Sequence, residues 1–334
     1  MPSSSDNVIA ITTVLVIAVI GLLANGTAVY IVCVIRSLHN PFGTLSAGFA
    51  ICHCTMLLVV TLWMTPAIAI GGAWNKSLIG VMAGQISNSM YYAAITISLI
   101  IAVNRFCAIS FPTTYSCMFT QRVAFLSLAI IWMTSLLMCS IYYIDGCAYK
   151  FDTNSFLWHF GNSLCGEFLS FYVDFLFGLI VVIAAMLVDT VTLFKLWSYA
   201  KLMKKATNGV SFQRRRKELI FFMQLTKKAT NGVSFQRRRK ELIFFMQSCL
   251  YTSIFVVGII LFHVVSKSVS STLGLFACVT VGWITAHSLC GVVFVGFNWK
   301  LLYKRNYLNG ITVAAKALTM KNSTPSSQRR YNNA

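Results

Sequence analysis

Seven apolar runs decide what this chain can become. They fall at residues 8–35, 43–70, 79–109, 123–144, 168–197, 242–265 and 273–299, and each is long enough to cross roughly 30 Å of hydrocarbon as an α-helix. Only 10% of the 334 residues are charged and 57% are apolar, with a mean hydropathy of +0.73; soluble chains carry about a quarter charged residues. The expected fold is an all-α membrane protein built as a seven-transmembrane helix bundle.

The lysines and arginines set the expected orientation, because cytoplasmic loops keep the positive charge. With the N-terminus outside, the outer segments hold only Lys76, Lys150 and Lys267, and the other 24 of 27 cations lie inside, as does the C-terminus. The net charge of +19 is then a signal of membrane orientation, and no nucleic-acid partner is expected. Residues 1–7 read as a short extracellular N-terminus without the basic start of a signal peptide, and residues 8–299 as the spanning domain. Of eleven cysteines, only Cys147 and Cys165 fall in an outer loop, where oxidation is available and a disulfide between them fits.

One arginine closes the third run. From Gln85 to Val103 there is no charged side chain; then come Asn104-Arg105-Phe106 and, eight residues after Asn104, Pro112. A cation at such a boundary is costly unless it meets water or a polar partner. The pattern resembles the Asp-Arg-Tyr-then-Pro signature of the third span of G-protein-coupled receptors, with Asn104 replacing the acid and Phe106 the tyrosine. The resemblance implies a rhodopsin-like architecture in which Arg105 faces a G protein. Glu241, at the inner start of the sixth run, either pairs with Arg105 in the resting state or is a surface acid beside Lys240. The chain also departs from that pattern. His53 stands where many receptors carry a sodium-binding aspartate, and it reads best as a hydrogen-bonded interior histidine. The sixth run lacks proline, and Cys290-Gly291-Val292-Val293-Phe294 replaces Asn-Pro-x-x-Tyr. No lysine lies between Lys267 and Lys300, which excludes a retinal Schiff base there.

Ligand-pocket candidates come from the outer halves of the runs. Ser87, Asn88, Tyr91 and Tyr92 lie on the third, and Ser87 and Tyr91 share a helical face by their spacing of four; the stripe either lines a cavity or packs between helices. Ser87 occupies the place where amine receptors carry their ligand-pairing aspartate, so an aminergic receptor is not expected. Asp174, near the outer end of the fifth run, and Asp189, deeper in, are intramembrane acids and thus functional candidates, or each is satisfied by a neighbouring hydroxyl or amide. Asp174 is the better placed for a ligand. Phe262 and His263 on the sixth run and Trp283 on the seventh complete the set. Asn25, in the first run, makes a polar helix contact or serves a switch.

The block KKATNGVSFQRRRKELIFFMQ occurs at 204–224 and again, unchanged, at 227–247. Such identity points to a tandem duplication or a gene-model error, since a structural array needs several units. Only the second copy runs into enough apolar sequence to start a sixth helix, so the duplicated 23-residue block (202–247) lengthens the third inner loop. Its Arg214-Arg215-Arg216-Lys217 cluster either binds membrane lipids through anionic headgroups or forms a solvated face. Residues 300–310 alternate aromatic and basic side chains as an amphipathic interfacial helix would, and 311–334 read as a disordered cytoplasmic tail.

Taken together, Asn-Arg-Phe-Cys-Ala-Ile-Ser-Phe-Pro, the Cys147 and Cys165 loop, and Arg-Arg-Arg-Lys-Glu-Leu-Ile-Phe-Phe-Met-Gln leading into the sixth run resemble the nematode serpentine chemoreceptors, most closely class X. That resemblance implies a plasma-membrane receptor of sensory neurons, often ciliary, which detects a small molecule or peptide and signals through a heterotrimeric G protein. Two alternatives stand beside it: a ligand-gated cation channel, although no acidic ring or filter-like loop is visible, and a non-functional receptor copy. No enzyme, metal site or cofactor is expected, for neither His-Glu-x-x-His nor Gly-x-Ser-x-Gly occurs.

Overall fold

The computed structural model describes residues 4–71, 77–207 and 233–322. Seven helices in it are long and apolar enough to cross a membrane: Ser4–Val34, Pro41–Ile70, Leu78–Ser110, Gln121–Tyr143, Leu164–Tyr199, Glu241–Ser268 and Thr272–Tyr303. They are named here as the first to seventh spans, and the chain is a multi-pass membrane protein with the seven-helix architecture expected.

Local chemistry starts these helices where they start. Asn40, Ser77, Thr120, Ser163 and Ser271 each cap an N-terminus by accepting a backbone N–H, from Gly43, Gly80, Val123, Gly166 and Gly274 respectively. Pro41 at the first helical position loses no hydrogen bond there. At the far end of the third span the helix stops at Ser110 and Pro112 stands exposed just beyond.

Packing makes the third span the hub, in contact with the second, fourth, fifth and sixth, while the first and seventh pair along their length. The first–seventh seam is close. Asn25 Nδ2 donates to the carbonyls of Gly21 (2.9 Å) and His287 (3.2 Å), so Asn25 is a polar contact between helices. A Cβ added to Gly291 would lie 2.6 Å from the Asn25 backbone nitrogen. Gly291→Ala is therefore expected to cost about 1–3 kcal/mol, read as a lower thermal midpoint of detergent-solubilised protein. Gly296→Ala, whose Cβ would meet open space, should leave the midpoint unchanged or slightly higher.

Three spans carry a wide π turn toward the same end of the bundle, at Val60–Met64, Leu169–Leu176 and Ala277–Val281. Pro66 explains the first: it has no N–H and its ring crowds the preceding turn, and Thr65 Oγ1 donates to the Val60 carbonyl at 3.0 Å. The sixth span, which lacks proline, runs as one unbroken helix from Val233 to His263. The second copy of the repeat thus leads into that helix; residues 208–232, including the Arg214–Lys217 cluster, lie outside the described residues, as do residues 323–334.

The backbone stays helical from Gly282 to Asn322, through the segment 300–310 and into residues 311–322, the start of the stretch that the sequence reads as a tail. No proline interrupts this stretch, and no glycine occurs between Gly296 and Gly310, so nothing supplies the break that a turn onto the membrane surface requires.

Between the fourth and fifth spans a β-hairpin closes one end of the bundle. Strands β1 (Tyr149–Asp152) and β2 (Leu157–Phe160) pair antiparallel, Tyr149 opposite Phe160 and Asp152 opposite Leu157. Cys147 and Cys165 form the expected disulfide across it. Burial works against ionisation of Asp152, yet the Asn154 N–H (3.0 Å), the Ser155 hydroxyl (2.8 Å) and nearby His159 hold its carboxyl below the usual range. Phe156 takes a positive φ of 57° at the turn and buries its ring against Phe276, while its carbonyl accepts from Thr280 Oγ1 at 2.6 Å. The hairpin is thereby tied to the seventh span. Removing the disulfide by Cys147→Ser is expected to cost about 3 kcal/mol, measured as a lower thermal midpoint that Cys147→Ser with Cys165→Ser reproduces.

Candidate functional site

Beneath the hairpin lies a cavity whose walls come from four spans. The third contributes Asn88 and Tyr91, the fifth Asp174, and the sixth Phe255, Ile259, Phe262 and His263. Trp283, Ala286 and His287 come from the seventh, and Tyr149 of β1 adds to the lining. Six sequence candidates meet here: Asn88, Tyr91, Asp174, Phe262, His263 and Trp283.

Two do not line the cavity. Tyr92 is fully buried behind it, where its hydroxyl donates to Asp174 Oδ1 at 3.1 Å. Asn88 Nδ2 donates in turn to the hydroxyls of Tyr92 (3.1 Å) and Tyr142 (2.5 Å), joining the third and fourth spans to the fifth. Ser87 is also fully buried, and its hydroxyl has no hydrogen-bond partner among the described residues. It lies less than one turn from Gly84, against which the Tyr149 carbonyl packs, so the hairpin occupies the face that its spacing from Tyr91 suggests for a ligand.

His287 forms the floor and was not among the sequence candidates. Its Nδ1 shares a 2.6 Å hydrogen bond with Nδ1 of His53, and both Nε2 atoms are buried without a partner among the described residues. His53 is thus the hydrogen-bonded interior histidine expected, and the contact ties the second span to the seventh. Deeper still, Asp189 accepts from Ser248 Oγ (3.2 Å) and Thr252 Oγ1 (2.9 Å) of the sixth span. Neighbouring hydroxyls satisfy that acid.

The opposite end holds the second polar cluster. Arg105, 2% exposed, donates through Nη1 to Glu241 Oε2 at 2.5 Å. Nε reaches Asn104 Oδ1 at 3.1 Å, Nη2 donates to the same oxygen, and Nη2 also reaches the Tyr115 hydroxyl at 3.2 Å. Asn104 therefore accepts from the arginine as an acid would, but without a charge. The guanidinium lies over Phe42 (4.4 Å) and Phe244 (5.5 Å), rings that themselves stack at 4.2 Å. Phe42, Tyr115 and Phe244 come from three distant points in the chain, and no short motif joins them.

Phe106 is not in that cluster. It packs edge-on against Phe111 at 6.0 Å, and Lys195 of the fifth span sits 4.9 Å above its ring. This contact ties the third span to the fifth beside the arginine.

A family model described as "Serpentine type 7TM GPCR chemoreceptor Srx" matches residues 15–230 and again 225–298. The second match begins two residues before the second copy of the repeated block at 227–247. Serpentine receptor class X 45 of Caenorhabditis elegans is 23% identical over 212 residues, covering 60% of this chain and 56% of that relative's length.

Proposed function

The chain belongs to the Srx family of serpentine seven-transmembrane chemoreceptors, and from that premise we propose that it is a chemosensory receptor coupling a small-molecule or peptide ligand to a heterotrimeric G protein. The observation that carries this reading is the pairing of two sites on one set of helices. The third and sixth spans wall the cavity under the hairpin at one end and carry the Arg105–Glu241 pair at the other. A ligand that changes how these spans pack has a direct mechanical route to the arginine.

The hairpin end faces outward in this account. A disulfide belongs on an oxidising side, and the excess of lysine and arginine belongs on the cytoplasmic side. Glu241 holds Arg105 in the resting arrangement. A ligand that binds the open arrangement better shifts the population by that difference and no further; Arg105 and the basic third loop then meet the G protein, and that loop also contacts anionic lipid. The site of action is the plasma membrane of a sensory neuron.

The test is guanine-nucleotide exchange on co-expressed G proteins in membranes carrying the chain, challenged with a broad odorant and peptide mixture. Exchange above that of membranes lacking the chain is expected. Ionic current evoked by the mixture without a G protein, with no exchange, would replace this reading by a channel.

A further inference from the structure

Asp174 is unusual among the acids of this chain. The other deep intramembrane acid, Asp189, is 6% exposed and takes two hydroxyl donors. Asp174 is only half-buried, lines the cavity, and accepts one hydrogen bond, from Tyr92. Its second carboxylate oxygen has no hydrogen bond, and no cation pairs with it, among the described residues. Lys267, at the end of the sixth span, is exposed and makes no ion pair among the described residues. A carboxylate at membrane depth is costly unless a partner offsets its charge, and among the described residues the Tyr92 hydroxyl alone is bonded to this one.

The surroundings select the partner. Tyr91, Phe255, Phe262 and Trp283 share the cavity with Asp174, and aromatic faces attract cations while their bodies accept apolar groups. No group of three His, Cys, Asp or Glu side chains is placed to hold a metal ion among the described residues, and the carboxylate repels anions. We propose that the cavity binds a protonated amine with an apolar body, its ammonium N–H donating to the open oxygen of Asp174 and its body lying among these rings. The third-span position of Ser87 lacks the acid used for amines elsewhere, and the fifth span supplies one instead. The wide turn Leu169–Leu176 that carries Asp174 shifts the register of that helix, and such turns gather at functional sites. This inference rests on the reading of the cavity as a ligand site.

The experiment uses the purified full chain and a panel of alkyl- and arylalkylamines, each with its matched alcohol and carboxylic acid, scored by ligand-induced thermal shift and, in membranes, by nucleotide exchange. Amines alone are expected to bind. Asp174→Asn should weaken them roughly 10- to 100-fold, the range of one hydrogen bond to a charged group, while Asp174→Glu keeps most of the affinity and the unliganded midpoint of Asp174→Asn does not fall. Binding by alcohols or acids as tight as by amines, unchanged amine affinity in Asp174→Asn, or no binding by any amine would each overturn the proposal. Amine binding that never drives exchange would leave this site standing and remove the G-protein reading. Exchange driven by neutral or acidic members, and indifferent to Asp174→Asn, would do the reverse.

Discussion

Ligand-free nucleotide exchange is expected to rise roughly 5- to 30-fold when Glu241 is replaced by alanine. The carboxylate is 28% exposed and its partner 2%, so the pair is neither a screened surface contact nor a sealed one. Surface pairs contribute about 0–1 kcal/mol and hydrogen bonds to charged groups about 1.5–3 kcal/mol; about 1–2 kcal/mol is the range between them, which is the factor of 5–30 given. Arg105 keeps Asn104, Tyr115 and the two phenylalanine rings after the change. The chain should therefore fold and reach the membrane, with the sixth span held less tightly to the third, through the Phe244 ring but without the ion pair. Glu241→Gln, which retains the shape and a weaker hydrogen bond, should give an intermediate rise.

Arg105→Ala has the opposite expected effect, a fall in stimulated exchange of more than about tenfold, the loss of one strong charged contact to the G protein. Two consequences compete in this variant. Losing the arginine unlocks Glu241, which favours the open arrangement, and it removes the group that the open arrangement presents. The second dominates because an open bundle without its contact residue has nothing to engage the partner. Surface amount should hold, since Phe42 and Phe244 still stack on each other. Exchange raised by Arg105→Ala would mean that the arginine only locks the bundle.

Much of this was legible in the sequence, and the reasons differ by feature. The seven spans follow from run length alone, because the membrane leaves few other solutions, and the observed bounds differ from the runs by a few residues at most ends. The disulfide followed from cysteine placement, and Arg105 and Glu241 stood out as charges at the edges of apolar runs, though the sequence left their pairing beside a surface role for Glu241. Contacts that join distant parts of the chain were less visible. His287, Phe255 and Tyr149 enter the cavity through tertiary packing, and Phe42 and Tyr115 reach Arg105 from different segments, with no spacing rule to announce either. Ser87 shows the limit of helical periodicity: a spacing of four places it on the stripe of Tyr91, but the hairpin takes up that part of the face. The wide turns in the fifth and seventh spans shift the register without a proline to mark them.

The measurement that bears most directly on the account needs no ligand. It compares basal nucleotide exchange, at matched surface amounts, for the unaltered chain, Glu241→Ala, Arg105→Ala and the two substitutions together. Glu241→Ala should stand above the unaltered chain and the double variant should be as silent as Arg105→Ala, because the lock acts only through the arginine it holds. Basal exchange unchanged by Glu241→Ala, or still elevated in the double variant, would contradict it.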